Sequence, residues 1–327
     1  MELKIIDYGY DGEGVAKQDG KTVFVPFTIL DEIVDAQIVK NNSKFSFAYP
    51  QKILKPSPIR VASQCPYFEK CGGCNFWHIE YEEELKIKKL LIERQLKKVG
   101  FENKISIISA GYCEKYRNKV TLRVKNNKLG YIGVDNEIVN IDFCPIAHDL
   151  INDAIGHINT FLQAAKPPIT EVVIRTNGGQ RLVLFKTKSK NKINFQGLQI
   201  MLGAKSGIYC EKQGEIKHVC GIKFLEFNEF GMSCLFDVKA FHQINDVIGE
   251  KLYSKVSSLV KEKNNTVINC YSGGGTLSGV IAKNSKRVFG VELGKNEHKS
   301  AEKLKENNRI NNLYNICGIV QKFCQNC

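Results

Sequence analysis

No run of apolar residues in this chain approaches the roughly twenty that a membrane-spanning helix needs, so an integral helical membrane protein is not expected. The N-terminus, Met1-Glu-Leu-Lys-Ile-Ile-Asp7, carries an early acid and lacks the apolar stretch of a secretory leader. Nothing therefore points to an oxidising compartment, and disulfides are disfavoured. The 12 cysteines are expected to stay reduced in the cytoplasm, available to metal. Internal repeats and low-complexity tracts are also missing. Acid is scarce: 34 Asp and Glu face 47 Lys and Arg, a net charge of +13. The surplus gathers in Lys52–Arg60, Lys86–Lys98, Lys115–Lys128 and Lys186–Lys192. Such a balance favours a polyanionic partner, RNA or DNA before a membrane surface, with a merely solvated lysine-rich exterior as the alternative.

Four cysteines stand out from the rest. Cys65, Cys71 and Cys74 lie in Gln64-Cys-Pro-Tyr-Phe-Glu-Lys-Cys-Gly-Gly-Cys74, and Cys144 comes much later in Phe143-Cys144-Pro145. Three close thiols plus a distant one before proline is a pattern that wraps a [4Fe–4S] cluster, one Cys per iron. The Gly72-Gly73 pair is expected to turn the backbone sharply, so that Cys71 and Cys74 face one centre. A four-Cys zinc site competes, although zinc ribbons usually bring two C-x-x-C knuckles and only one is present in this stretch.

At 327 residues the chain can hold two or three domains, each with its own core. Short β-type runs separated by glycine turns fill residues 1–55 and suggest a small OB-like barrel. Lys55-Pro-Ser-Pro58 reads as a stiff linker and boundary. A helix is predicted from Tyr81 to Val99 with Tyr81, Leu85, Ile92, Leu96 and Val99 as its apolar face. Strands are expected over 119–124, 129–132 and 137–143, the last delivering Cys144, then a helix over 148–164 and a hairpin across Asn177-Gly-Gly179. The expected class is thus α+β multidomain: an OB-like barrel at 1–58, a central α+β domain at 59–235 and a partial Rossmann-like α/β domain at 236–327.

That last segment reads strand, glycine turn, helix, strand. Thr266-Val-Ile-Asn-Cys270 is expected to be a buried strand, Tyr271-Ser-Gly-Gly-Gly-Thr276 the turn, and Arg287–Val291 a second strand closed by Glu292. Gly273 and Gly275 allow close approach of a ligand where the helix opens at Thr276. Glu292 is placed to accept from both hydroxyls of a ribose. The full G-x-G-x-x-G that grips a pyrophosphate is missing, which points from NAD towards S-adenosylmethionine. Upstream, Gln243 reads either as a cofactor contact or as the cap of a helix starting near Asn245.

Together these pieces resemble the RNA uracil-C5 methyltransferases, which make 5-methyluridine in tRNA and 23S rRNA. The opening barrel resembles a TRAM domain through Gly12-Glu-Gly-Val-Ala16, and the four-cysteine motif resembles the rRNA-modifying branch. Phe241-His-Gln-Ile-Asn245 resembles the family's Phe-x-Gln-x-Asn, which implies that Gln243 contacts S-adenosylmethionine; Tyr271 and Glu292 match two further cofactor contacts. A cytoplasmic, monomeric protein is expected, and the resemblance implies an RNA enzyme with rRNA ahead of tRNA. It also implies a chemistry in which a Cys thiolate adds to C6 of a flipped uracil, C5 takes the methyl group, and a carboxylate removes the C5 proton.

In that family the nucleophilic Cys, the base Glu and an Asp-Pro-Pro-Arg segment come after the third strand, and no such segments occur up to Cys327. No catalytic residue is therefore assigned. Cys317, Cys324 and Cys327 match no nucleophile position, and the Cys324-Gln-Asn-Cys327 spacing reads as a chain-end tail. Asn269 stands where an acid is usual, and Ile319 where Asp or Asn is usual. The expectation is a C-terminally truncated gene product, inactive as written. A non-catalytic RNA-binding protein and an iron–sulfur redox protein are the alternatives.

Overall fold

The computed structural model describes residues 1–260 and 265–325. Residues 261–264, and Asn326 and Cys327 of the C-x-x-C tail, lie outside them. Among the described residues no helix is long and apolar enough to cross a membrane. The chain forms two compact units: residues 1–113 with 131–139, and residues 114–130 with 140–327.

The first unit opens with β1 (Glu2–Lys4), β2 (Asp7–Tyr8), β3 (Gly14–Gln18), β4 (Lys21–Val25), β5 (Ile33–Asn41) and β6 (Phe45–Lys55). They make one six-stranded sheet in the order β1-β5-β6-β4-β3-β2. Alternation decides its inner face: Leu3, Ile5, Ala16, Val23, Val25, Val34, Ala36 and Ala48 form one apolar cluster. The outward side of β4 and β6 carries Phe24, Phe45 and Phe47.

A buried ion pair anchors the chain just after the sheet. Glu32 is fully buried and accepts from Arg60 Nε at 2.6 Å and Nη2 at 2.7 Å, and from the Ile29 and Ser57 backbone N–H groups at 2.9 and 3.0 Å. The segment read as a linker is thereby tied back to the turn before β5. Helix α1 (Tyr81–Lys97) matches the predicted span, but its buried face differs. Ile87 and Leu91 pack with Tyr8, Ile29 and Ile79, and Arg94 pairs with Asp7 at 2.6 Å. Ile92 and Val99, assigned to the apolar face, are exposed. The helix docks where Tyr8 and Ile29 offer apolar surface, and tertiary contact outweighs local periodicity.

The second unit contains β7 (Lys119–Lys125) and the start of β8 (Lys128–Ile132). Strand β9 (Ile138–Asn140) then leads to α2 (Asp149–Ala165), β10 (Ile169–Thr176), β11 (Arg181–Thr187), α3 (Gln196–Leu202), β12 (Ser206–Lys212) and β13 (Glu215–Gly221). The sheet order is β13-β12-β11-β10-β7-β8-β9. The β10–β11 hairpin pairs antiparallel as predicted, and α3 makes the crossover to the parallel strand β12. The strand predicted over 137–143 is only three residues long, so Cys144 sits on a loop beyond it.

Next come β14 (Leu225–Glu229), β15 (Met232–Phe236), α4 (Asp246–Leu259), β16 (Thr266–Cys270), α5 (Thr276–Ala282), β17 (Arg287–Glu292), α6 (Lys295–Asn307), β18 (Leu313–Cys317) and α7 (Val320–Gln325). Strands β16, β17 and β18 are parallel and adjacent in that order, with α5 and α6 as their connections. One apolar cluster joins the two halves of the unit, from Leu182, Leu184 and Tyr209 through Phe227 and Phe236 to Val280 and Leu304. The strand expected to be buried, β16, pairs only with β17 among the described residues, and Thr266, Ile268 and Cys270 on it are exposed.

Candidate functional site

At the end of β16 the backbone reverses through Tyr271, which has φ 59°, and then Gly273 and Gly275, with φ 55° and 85°. A left-handed tyrosine costs about 1–2 kcal/mol, so the surrounding bonds must hold it there. Ser272 N donates to Val291 O at 3.0 Å and Gly275 N to Ser272 O at 3.1 Å. A side chain on Gly275 would strike Ala301 Cβ at 2.9 Å, so this glycine serves helix packing as well as conformation. On Gly273 nothing but Phe241 Cδ1, at 4.0 Å, would be met, so its side of the turn is open. The Tyr271 ring is 74% exposed.

Glu292, at the end of β17, faces this turn. Its Oε2 accepts from Gly273 N at 2.9 Å and its Oε1 from Gly294 N at 2.7 Å. A carboxylate offers about four lone-pair directions, so roughly two remain, one on each oxygen, suited to a pair of neighbouring hydroxyls. Beneath the turn, Gly290 leaves room among Ser272 Oγ, Ser278 Oγ and Asn315 Oδ1, each about 3 Å from where its Cβ would stand. Ser272 Oγ and Asn315 Oδ1 are buried and accept or donate no protein hydrogen bond. Asn269, at the position where an acid is usual, donates from Nδ2 to Ser278 Oγ at 2.9 Å and so ties β16 to α5. Thr276 is buried and bonds the Cys234 thiol, whose pKa burial pushes up to about 12. Burial likewise raises Cys210 and Cys220. None of these three thiols is poised as a thiolate.

The segment before α4 is held beside the same turn. Asn118 donates to Gln243 O at 2.8 Å, Asn118 N donates to Ile244 O at 3.0 Å, and Arg117 bridges to Asn245. Asn245, not Gln243, caps α4 by accepting from Ile248 N at 3.0 Å. The Gln243 side chain bonds Tyr253 and lines a cavity of about 320 Å³ with Glu229, His242 and Asp246. The residue that reaches Gly273 is Phe241.

His242 is buried, with Nε2 at 3.2 Å from both Glu229 Oε1 and Asp246 Oδ1. Burial alone would lower its pKa, but the bonds to Asp246 and Glu229 outweigh that and hold it above the usual value. Nothing in the sequence singles out Arg175. It is fully buried, donates to Ala240 O and Asp237 O, and lies 5.2 Å from the Phe236 ring centroid. It therefore braces residues 237–240, which lead into Phe241. A lone arginine at a strand end carries no motif by which this role is legible.

The cysteine loop belongs to the first unit. Cys71 N donates to Tyr67 O at 2.8 Å, Gly72 N to Ile132 O at 3.0 Å, and Val134 N to Lys70 O at 3.0 Å. The backbone turns at Gly72 and Gly73 as expected, without a positive φ at either. They are needed for space: a Cβ on Gly72 would stand 2.9 Å from Ile132 O, and one on Gly73 would stand 3.4 Å from Cys71 Sγ. Cys65, Cys71 and Cys74 are half-buried. Cys144, in the second unit, is buried, and Asn152 clasps its backbone, accepting from Cys144 N at 2.8 Å and donating to Cys144 O at 3.1 Å. Thiols are soft donors, the kind that hold zinc or iron–sulfur centres.

The architecture is a mixed α+β fold close to that of S-adenosylmethionine-dependent methyltransferases, preceded by a TRAM domain, whose family model matches residues 1–50. It superimposes with TM-score 0.82 on the crystal structure of Pyrococcus abyssi tRNA (uracil-54, C5)-methyltransferase in complex with S-adenosyl-L-homocysteine. That match is 22% identical and covers 98% of this chain and 79% of the other. In sequence the chain is 29% identical to an uncharacterized RNA methyltransferase of Clostridium acetobutylicum, over 97% of this chain and 77% of that protein. It is 27% identical to the 23S rRNA (uracil(1939)-C(5))-methyltransferase RlmD of Francisella tularensis subsp. novicida, over 96% and 75%. The relatives it matches over most of its length thus carry the names of RNA methyltransferases, among them a 23S rRNA uracil-C5 methyltransferase.

Proposed function

We propose that this protein serves S-adenosylmethionine-dependent methylation of C5 of a uracil in RNA, with 23S rRNA as the preferred substrate class. The observation that carries the reading is Glu292, braced by Gly273 N and Gly294 N at the glycine turn with one lone pair left on each oxygen. Two lone pairs side by side match the two hydroxyls of a ribose. The exposed Tyr271 ring offers a face to an adenine, and Gly273 keeps that approach open. Gln243, Gly275 and Thr276 complete the proposed cofactor set, Gln243 lining the same cavity as Tyr253. The orphaned Ser272 Oγ and Asn315 Oδ1 favour a polar ligand or bridging water beside the turn.

The reading keeps three modules: a TRAM domain at 1–58 that closes as an OB-like barrel, a central iron–sulfur and RNA-binding part at 59–235, and a Rossmann-like methyltransferase part from 236. Cys65, Cys71, Cys74 and Cys144 would hold the [4Fe–4S] cluster, which when bound would supply a rigid staple between chain segments. The uracil nucleophile and the proton-abstracting base are assigned to none of these residues.

The test is binding, which does not depend on turnover. Titration calorimetry with S-adenosylhomocysteine should give one site per chain. Glu292→Gln keeps the shape but replaces one acceptor oxygen with a donor, and should weaken binding about 10- to 100-fold, the loss of hydrogen bonds to a charged group. Equal affinity in the two proteins would refute the site.

A further inference from the structure

On the outward side of the first unit's sheet, three phenylalanines from two strands meet. Strands β4 and β6 are parallel and paired, with Thr22 opposite Phe45 and Phe24 opposite Phe47. Val23, Val25, Ser46 and Ala48 turn inward, so Phe24, Phe45 and Phe47 share the other face. Their ring centroids lie 5.5–5.9 Å apart. Phe45 and Phe47 are each 36% exposed. Outward positions of a small sheet ordinarily carry polar or β-branched residues, and a triad of phenyl rings there leaves aromatic faces to solvent.

Lysines frame the triad. Lys40 is the cross-strand partner of Phe47, and Lys44 precedes Phe45. Lys17 stands opposite Thr22 and donates to its Oγ1 at 2.8 Å, and Lys21 bonds Asn41 Oδ1. Among the described residues these four lysines form no ion pair with a carboxylate, so their charge is uncompensated. The nearest acid in sequence is Asp19, at the tip of the β3–β4 turn.

We infer that Phe24, Phe45 and Phe47 with Lys17, Lys40 and Lys44 form a platform on which bases of single-stranded RNA stack while the lysines track the phosphates. Rings supply π-faces that any base can cover, and uncompensated ammonium groups supply attraction for the backbone. A protein partner would have to bury four lysines without compensation from this chain, which favours the polyanion. The inference rests on RNA being the substrate class, and adds the face and manner of its capture: stacking without base-edge readout.

The experiment is fluorescence anisotropy of a labelled U-rich single-stranded RNA against the full chain across salt concentrations. Phe45→Ala and Phe47→Ala change exposed rings, and circular dichroism should confirm an unaltered fold. Each is expected to weaken binding about tenfold, with the salt slope unchanged. Phe47→Tyr, which keeps a π-face, should bind as the parent does. Lys40→Ala should reduce the salt slope by about 0.7. If Phe45→Ala and Phe47→Ala bind like the parent, or if Phe47→Leu binds as well as Phe47→Tyr, the platform is refuted while the RNA reading survives. If the parent chain binds no RNA but binds S-adenosylhomocysteine, the RNA reading fails and this inference falls with it.

Discussion

Replacing Glu32 with Gln strikes a single clasp on which the first unit depends. The carboxylate is fully buried and receives two bonds from Arg60 and two backbone N–H groups. Burial by itself would raise its pKa. The Arg60 bond and the Ser57 and Ile29 N–H groups outweigh burial and hold it below the usual glutamate value. Removing one partner of a buried pair costs about 3–5 kcal/mol, because the other charge is left uncompensated. The Arg60 side chain keeps 18% exposure and still donates to Phe27 O, so the lower end, about 3 kcal/mol, is expected. At about 2–4 °C per kcal/mol, the unfolding midpoint should drop by about 6–12 °C.

The single tryptophan, Trp77, lies in this unit, so its fluorescence reports the transition directly. A depressed carboxylate pKa contributes stability that is present above the unfolded value of 4.5 and is lost as pH falls through the folded value. The carboxylate's share of the gap between parent and variant should therefore be full at pH 7 and shrink as pH falls through the folded value. His78 adds a separate acid slope. Burial first, and then Arg60, push its pKa down to about 4, so it stays neutral in the fold and destabilises the unit as pH drops below 6.5. Both proteins share that slope down to about pH 4; below it the variant, lacking the Glu32 charge that raises the His78 pKa, goes on losing stability. A midpoint shift under about 2 °C at pH 7, or a gap that widens between pH 7 and pH 5, would refute the reasoning.

His242 behaves in the opposite sense. Its folded pKa is raised, so its ion pairs contribute fully below about pH 6.5 and are lost as pH rises through the folded value. His242→Gln should destabilise the second unit by about 1–2 kcal/mol at pH 6 and by much less at pH 9, measured by urea denaturation under circular dichroism. Anaerobically purified protein should carry about four irons per chain with broad absorption near 400 nm, the content of one cubane cluster. Cys71→Ser should abolish both, and equal iron in the two proteins would remove the four cysteines from that role.

How much could be read from residues alone depended on how local the determinant was. The glycine turn was legible because Gly273 and Gly275 do what glycine does best, taking positive φ. Glu292 was legible because strand length puts it at a strand end. The extent of α1 was legible too, but its buried face was not: Ile87 and Leu91 are chosen by Tyr8 and Ile29, some sixty residues or more away in sequence. Strand β16 looked buried because Val267 and Ile268 are apolar, yet Ile268 lies on its exposed side, which depends on what packs beside the strand rather than on its five residues. The phenylalanine triad and Arg175 were missed for one reason. Each is defined by parallel pairing or by a loop that returns from far along the chain, and no spacing rule encodes that.

The first unit closes on a stretch of chain made late. Residues 131–139 belong to it, separated from residue 113 by a segment of the other unit, and the cysteine loop hydrogen-bonds to Ile132 and Lys70 to Val134. A ribosome that has released residue 113 has therefore not yet delivered the backbone that fixes Gly72 in place. Assembly of the thiol loop must wait for about twenty further residues, and no single proteolytic nick can free this half of the protein with all its parts.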